Sequence, residues 1–255
     1  MKKRPGVIVI RILLCLLAAG LLVMFALPAA GLLFRRLRMA LLPAALRPVI
    51  AGGLAGRSAG DLPVFDGMPA VELDGGKPRF SAEECAGAPG DRYAPLDDLG
   101  RCGEAFAVIT RDMMPAAPRG EIGQIRPSGW HTVKYPDLIE DRYLYNRCHL
   151  IAYALTGQND NERNLVTGTR FLNVEGMLPY ELEVIRFLSD AAPGERVLYR
   201  VTPVFAGDEL VCRGVEMEAY TPDDNGAGVC FHVYVFNVQP GIVIDYATGE
   251  SRREE

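Results

Sequence analysis

The residues best able to do chemistry lie close together in the middle of the chain. Asn146-Arg147-Cys148-His149 is followed by the polar run Asn159-Asp160-Asn161-Glu162-Arg163-Asn164, and then by Asn173 and Glu181. In an extended strand successive side chains point to opposite faces, so Cys148 and His149 diverge and do not form a nucleophile–base pair. His131, His149 and His232 are the only histidines, too few and too dispersed for an imidazole-rich metal site. That favours a single histidine acting as general base beside a hard, oxygen-ligated cation. With an ordinary pKa of about 6.5, such a histidine is mostly neutral at pH 7 and can take a proton from water. The competing reading of His149, set in the apolar strand end Cys148-His149-Leu150-Ile151, is a core imidazole satisfied by a carbonyl.

Asn146-Arg147-Cys148-His149 resembles the Asp-Arg-Gly-His motif of the DNA/RNA non-specific endonucleases, the ββα-metal or His-Me finger group. In that group an asparagine follows the histidine segment, a second comes nine residues later and a glutamate eight residues after that; Asn164, Asn173 and Glu181 stand at those intervals. The stretch from Gly129 to Tyr199, including Gly129-Trp130-His131-Thr132 and Leu165-Val166-Thr167-Gly168-Thr169-Arg170, is similar to membrane-anchored nucleases of the DNA-uptake type in competent and Gram-positive bacteria. The resemblance implies that His149 is the general base and that Asn173 is the one direct protein ligand to Mg²⁺, with Mn²⁺ as the alternate ion. It further implies that Glu181 holds one of the metal's waters, that Asn164 orients the His149 region, and that Arg147 and Arg170 contact the phosphate. The implied activity is endonucleolytic hydrolysis of DNA without sequence preference, with RNA as a second substrate, 5′-phosphate products and no small-molecule cofactor.

Elementary chemistry agrees with that division of labour. Mg²⁺ prefers octahedral oxygen coordination and keeps several waters, so one amide oxygen and a carboxylate acting through water form a sufficient cradle. A phosphodiester resists hydrolysis because its anionic oxygens repel a nucleophile and its leaving alkoxide is poor, and a metal offsets both. The departures from the motif are Asn146 in place of the aspartate and Cys148 in place of the glycine. Any charge-dependent role of that aspartate must be supplied elsewhere, and Asp141 is the candidate. Trp130 and His131 read as packing residues at a loop–strand junction.

Positioning such a site takes a strand, a loop and a helix. Tyr143 to Leu150 alternates as a strand does, and Arg170 to Ser189 has Phe171, Leu178, Ile185 and Leu188 at helical spacing. Gly176 and Pro179 interrupt that helix, which either kinks near Gly176 or starts afresh with Pro179 in its first turn. Asn173 and Glu181, eight residues apart, would sit roughly 12 Å apart along an unbroken helix and about 80° out of line. Ala105 to Thr110 reads as a buried strand, and Glu195 to Phe205, Leu210 to Tyr220 and Val229 to Val238 as further strands. Leu62 to Leu73 has room for another, whereas Pro78 to Gly100 and Pro115 to Gly129 read as loops. The fold class is therefore α+β with an antiparallel sheet, and the resemblance implies that it bears a ββα-metal (His-Me finger) motif.

The N-terminus differs from the rest. Ile12 to Phe34 carries no charge and follows Lys2, Lys3, Arg4 and Arg11. As a helix it would span roughly 34 Å, enough for a hydrocarbon core of about 30 Å. We read residues 1–38 as a transmembrane anchor, with a cleavable signal segment as the alternative, 39–60 as a juxtamembrane linker and 61–255 as the nuclease domain. Basic residues flank both ends of the span, so charge leaves its orientation open. An active nuclease would endanger the genome in the cytoplasm, and the domain is expected outside the cell membrane, or secreted if the segment is cleaved.

The six cysteines form no C-x-x-C pair, which excludes a zinc ribbon. Cys85 and Cys102 would suit a loop-closing disulfide or two small buried thiols. A hairpin centred on Asp223 to Gly226 would place Cys212 near Asn237, away from Cys230. The net charge of −5 opposes phosphate binding unless the site is locally positive. Two other functions fit the same residues: an envelope protein that binds DNA during uptake without cutting it, and a secreted nuclease toxin.

Overall fold

Runs of β-branched and aromatic residues between Gly/Pro/Asp turns dictate most of the architecture. The computed structural model describes residues 52–255, so the expected membrane span lies outside the described residues. Among the described residues no helix is long and apolar enough to cross a membrane. In chain order the elements are β1 (Ala70–Glu72), α1 (Ala82–Cys85), β2 (Gly90–Tyr93), β3 (Ala105–Ile109), β4 (Tyr145–His149), α2 (Tyr153–Thr156) and β5 (Leu165–Thr169). A π-helical turn (Leu172–Met177) then runs into α3 (Leu178–Asp190), followed by β6 (Val197–Val204), β7 (Gly214–Tyr220), β8 (Cys230–Phe236), β9 (Ile242–Ile244) and β10 (Ser251–Arg253).

Six strands form an antiparallel sheet in the order β1-β8-β7-β6-β3-β2. β4 and β5 form a separate antiparallel hairpin, and β9 and β10 another. The α+β class with an antiparallel sheet stands. Alternation splits β7 into two faces. Val215, Met217 and Ala219 enter the main core with Cys148, Val166, Leu172, Met177, Val184 and Leu188, so the hairpin and α3 cover that face. On the other side Tyr234 and Phe236 pack with Leu54, Leu62 and Leu73.

Glu216 and Glu218 are buried on that second face, where charge needs partners. Glu216 accepts hydrogen bonds from the Leu54 N–H (3.0 Å), His232 Nε2 (2.7 Å) and Arg79 Nη2. Glu218 accepts from the Arg79 N–H at 2.6 Å and lies 3.6 Å from Arg200 Nε. The segment from Leu54 to Phe80 is thus bound to the sheet by an ionic clamp as well as by apolar burial.

Three expectations need correction or completion. β2 lies inside the stretch read as loop; four residues with two charges carry little strand signal, and pairing with β3 makes the strand. Of the two alternatives for Cys85 and Cys102 the thiols are found and the disulfide is absent: the five described cysteines are free, and these two belong to different clusters of the core. The interrupted helix resolves into both features at once, a π turn ending at Met177 and α3 with Pro179 in its first turn. Pro179 has no N–H, and its ring would clash with the carbonyl one α-turn back, so the wider turn falls where the α pattern could not continue. Gly176 lets the helix approach the sheet, since a Cβ there would stand 2.3 Å from Val235 Cγ1.

Candidate active site

His149 ends β4, and the strand alternation sends its ring into a cleft while Cys148 enters the core. Burial pushes the Cys148 thiol well up, which removes it as a nucleophile at neutral pH. The thiol occupies the space over Gly168 on β5, where a Cβ would come within 2.4 Å of Sγ. A cysteine at this position is accommodated because its diagonal neighbour across the hairpin, Gly168, which pairs with Asn146, has no side chain.

The cleft, of about 680 Å³, is lined among others by Arg147, His149, Arg170, Asn173 and Glu181. Five of the six residues singled out from the sequence therefore converge on one space. Asn164, the sixth, is fully buried behind it. Its Oδ1 accepts from the Ile151 N–H at 2.8 Å, its Nδ2 donates to the Ile151 carbonyl at 2.9 Å, and its carbonyl accepts from the Leu150 N–H at 2.9 Å. One amide thereby fixes the backbone immediately after His149.

His149 Nε2 lies 2.8 Å from the Asn159 carbonyl. A carbonyl only accepts, so Nε2 carries the proton and Nδ1 of the neutral ring keeps its lone pair. Burial, with Arg119 nearby, depresses the His149 pKa below its ordinary value, against the opposing pull of the Asn159 and Gln158 carbonyls. The core-imidazole reading is half right: a carbonyl does satisfy one nitrogen, but the ring faces a cleft.

Asn173 sits in the π turn and Glu181 in the first turn of α3. The Leu178 N–H donates to the Asn173 carbonyl five residues back, so the turn holds one residue more than an α-turn. That extra residue absorbs about 100° of rotation and reduces the offset of about 80° to roughly 20°. The two side chains then share one face. Neither makes a hydrogen bond or ion pair with another described residue, and burial pushes the Glu181 carboxyl up to about 7. A crowded carboxylate without a counter-charge, beside an unpartnered amide, suits a hard divalent cation.

The remaining charges are already engaged. The Arg147 guanidinium lies over Trp130, 4.0 Å from the ring centroid, and donates to the Ile125 and Gly123 carbonyls. It therefore ties down the loop before β4, with the rest of its donors left for the cleft. Arg170 Nε is 3.0 Å from Asp141 Oδ2, so the nearest carboxylate to the altered motif does enter the cleft, paired with an arginine. Sequence reasoning missed Arg119, an exposed lining residue whose only signal was its place in a Pro/Gly loop. Glu216, Glu218 and His232 form a second set of metal-capable groups among the described residues. Arg79 already neutralises it and every carboxylate oxygen has a cation or N–H near it, so it acts as a clamp and not as a metal centre.

Comparison with known proteins extends these findings. Residues 83–222 match the family model of the DNA/RNA non-specific endonucleases. A curated deoxyribonuclease from Streptococcus dysgalactiae subsp. equisimilis is 27% identical over 199 residues, 62% of this chain; the match spans 59% of that relative's length. The crystal structure of NucA from Streptococcus agalactiae with no metal bound is 28% identical with a TM-score of 0.65, covering 77% of this chain and 92% of NucA. NucA with a magnesium ion bound gives 27% identity and a TM-score of 0.63, covering 72% and 86%.

Proposed function

This chain belongs to the DNA/RNA non-specific endonuclease family, and from that premise we propose that it is a metal-dependent nuclease that cuts phosphodiester bonds of DNA, with RNA as a second substrate, using His149 as general base. The observation that carries the reading is the pairing, in one cleft, of a histidine whose Nε2 is held by the Asn159 carbonyl with two unpartnered oxygen ligands, Asn173 and Glu181. NucA, similar over most of its length, has been crystallised with magnesium.

In this account His149 Nδ1 accepts a proton from water as its oxygen attacks phosphorus. The bond from phosphorus to the leaving 3′ oxygen breaks, that oxygen takes a proton from solvent water, and the phosphate stays on the 5′ oxygen. The Asn159 carbonyl stabilises the imidazolium that forms through Nε2–H, and Asn164 holds the strand end so that Nδ1 keeps its aim. Arg170 and Arg147 face the substrate's anionic oxygens, and Asp141 keeps Arg170 extended until a phosphate replaces the carboxylate. Asn173 and Glu181 would hold Mg²⁺ or Mn²⁺, the first directly and the second through water; when bound, the ion neutralises charge on the phosphate and the leaving oxygen.

The N-terminal apolar run supports a further part of the proposal, that the nuclease domain acts outside the cell membrane. The activity itself is tested with the purified full chain on supercoiled plasmid. Nicked and linear products are expected with Mg²⁺ and none with EDTA. Binding of plasmid without cleavage in Mg²⁺ and in Mn²⁺ would leave the noncatalytic DNA-binding role instead.

A further inference from the structure

We propose that Tyr143 is a stacking platform for one unpaired nucleobase of the substrate strand, an inference that rests on the nuclease reading above. Tyr143 is 42% exposed, and an exposed aromatic residue alone means little. Its position is what distinguishes it, since the ring lines the same cleft as His149, Arg170 and Asn173. Its hydroxyl makes no hydrogen bond with a described residue, so the ring is not held there to satisfy a partner.

The surrounding backbone presents the ring in a fixed place. Tyr143 forms an isolated antiparallel bridge with Lys134, flanked by hydrogen bonds from the Tyr135 N–H to the Arg142 carbonyl (2.8 Å) and from the Leu144 N–H to the Val133 carbonyl (3.0 Å). Leu144, the next residue, is fully buried. Arg142 has a φ of 73°, a left-handed conformation that side chains other than glycine rarely adopt. That residue turns the chain between Asp141 and Tyr143, both of which line the cleft. Such strain persists only where the surroundings impose it, and it concentrates at ligand sites.

The charge pattern suits a nucleotide better than a purely apolar ligand. Lys134 Nζ lies over one face of the Tyr143 ring, 4.7 Å from its centroid, which leaves the opposite face for a base, and Arg170 supplies a second cation on the cleft wall. The phosphates that flank any stacked base are anions, and both cations favour them. Bases in a duplex are already stacked and paired, so only a single strand or a base turned out of the helix can use the platform. Every base has a π face, so the contact adds affinity without sequence preference.

The test uses the full chain carrying His149→Ala, so that binding is measured without cleavage, in Mg²⁺, by fluorescence anisotropy. The probes are a short labelled single-stranded DNA and a strand of equal length built wholly of abasic nucleotides. Adding Tyr143→Ala is expected to weaken binding of the base-bearing strand roughly five- to hundredfold. Its affinity for the abasic strand should match that of the parent. Tyr143→Phe should restore the lost affinity, whereas Tyr143→Leu, which keeps bulk but has no π face, should fall with alanine. The proposal is overturned if the alanine variant binds both strands as the parent does, or loses equally on both. A parent that binds neither strand would remove the nuclease reading and the platform together, an outcome distinct from loss of base discrimination.

Discussion

His149 acts, on this account, because of what each of its two nitrogens meets. Nε2 is committed to the Asn159 carbonyl, and Nδ1 is the proposed acceptor of water's proton. Burial and then Arg119 disfavour the protonated ring, so its pKa lies below the ordinary value of about 6.5. The sign of the pH dependence follows: a base with a lowered pKa is deprotonated earlier as pH rises. The acid limb of kcat/KM should therefore fall below pH about 6.5, with a plateau by neutrality. Arg119→Gln removes a cation that disfavours the imidazolium, and it should move the limb to higher pH. A limb that stays in place in that variant would show that the arginine does not act on the base. At this scale the sequence was informative through its resemblance to the endonuclease motif, whose intervals point to His149, Asn173 and Glu181, all three of which line one cleft. Arg119 was not legible, since only folding of the Pro/Gly loop brings it to the ring.

At the scale of elements, the hairpin of β4 and β5 and the helix after it deliver all these side chains. Alternation in β4 was readable, and it separated Cys148 from His149. β5 was not assigned, because Leu165-Val166-Thr167-Gly168-Thr169 carries a glycine that weakens a strand signal. That glycine is explained only by tertiary packing, since a Cβ there would stand 2.4 Å from the Cys148 thiol of the partner strand and 2.8 Å from Leu172 Cδ2 of the π turn. The π turn was equally hidden: a proline after a glycine announces an interruption but not its geometry, and the geometry aligns Asn173 with Glu181. The packing gives a prediction. Gly168→Ala should destabilise the protein by about 1–3 kcal/mol, as overpacking does. Combining it with Cys148→Gly should recover part of the loss, because the two positions share one volume. Urea unfolding of the four proteins checks this, and strictly additive effects would refute the shared volume.

For the whole molecule, the net charge of −5 opposed a phosphate-binding role when read from the sequence alone. Folding answers part of that objection by sorting the charges. Glu216 and Glu218 are buried against Arg79, Arg200 and His232 on the second face of the sheet. The cleft itself has three arginines, Arg119, Arg147 and Arg170, against two carboxylates, Asp141 and Glu181. The sheet thus keeps a structural clamp on one side and a cleft with more arginines than carboxylates on the other. The antiparallel architecture was legible as a set of strands, whereas their order was not. Nor was the burial of two glutamates, which resemble solvent-facing residues until the segment from Leu54 to Phe80 covers them.

The most direct test of the central claim is plasmid cleavage in Mg²⁺ by full-length His149→Ala, compared with the parent chain and repeated with added imidazole. Loss of a general base predicts a fall in kcat of about 10²- to 10⁴-fold, partly restored by imidazole as a free base in the vacated space. Cleavage at the parental rate without imidazole would contradict the account, since the proton would then leave water by another route.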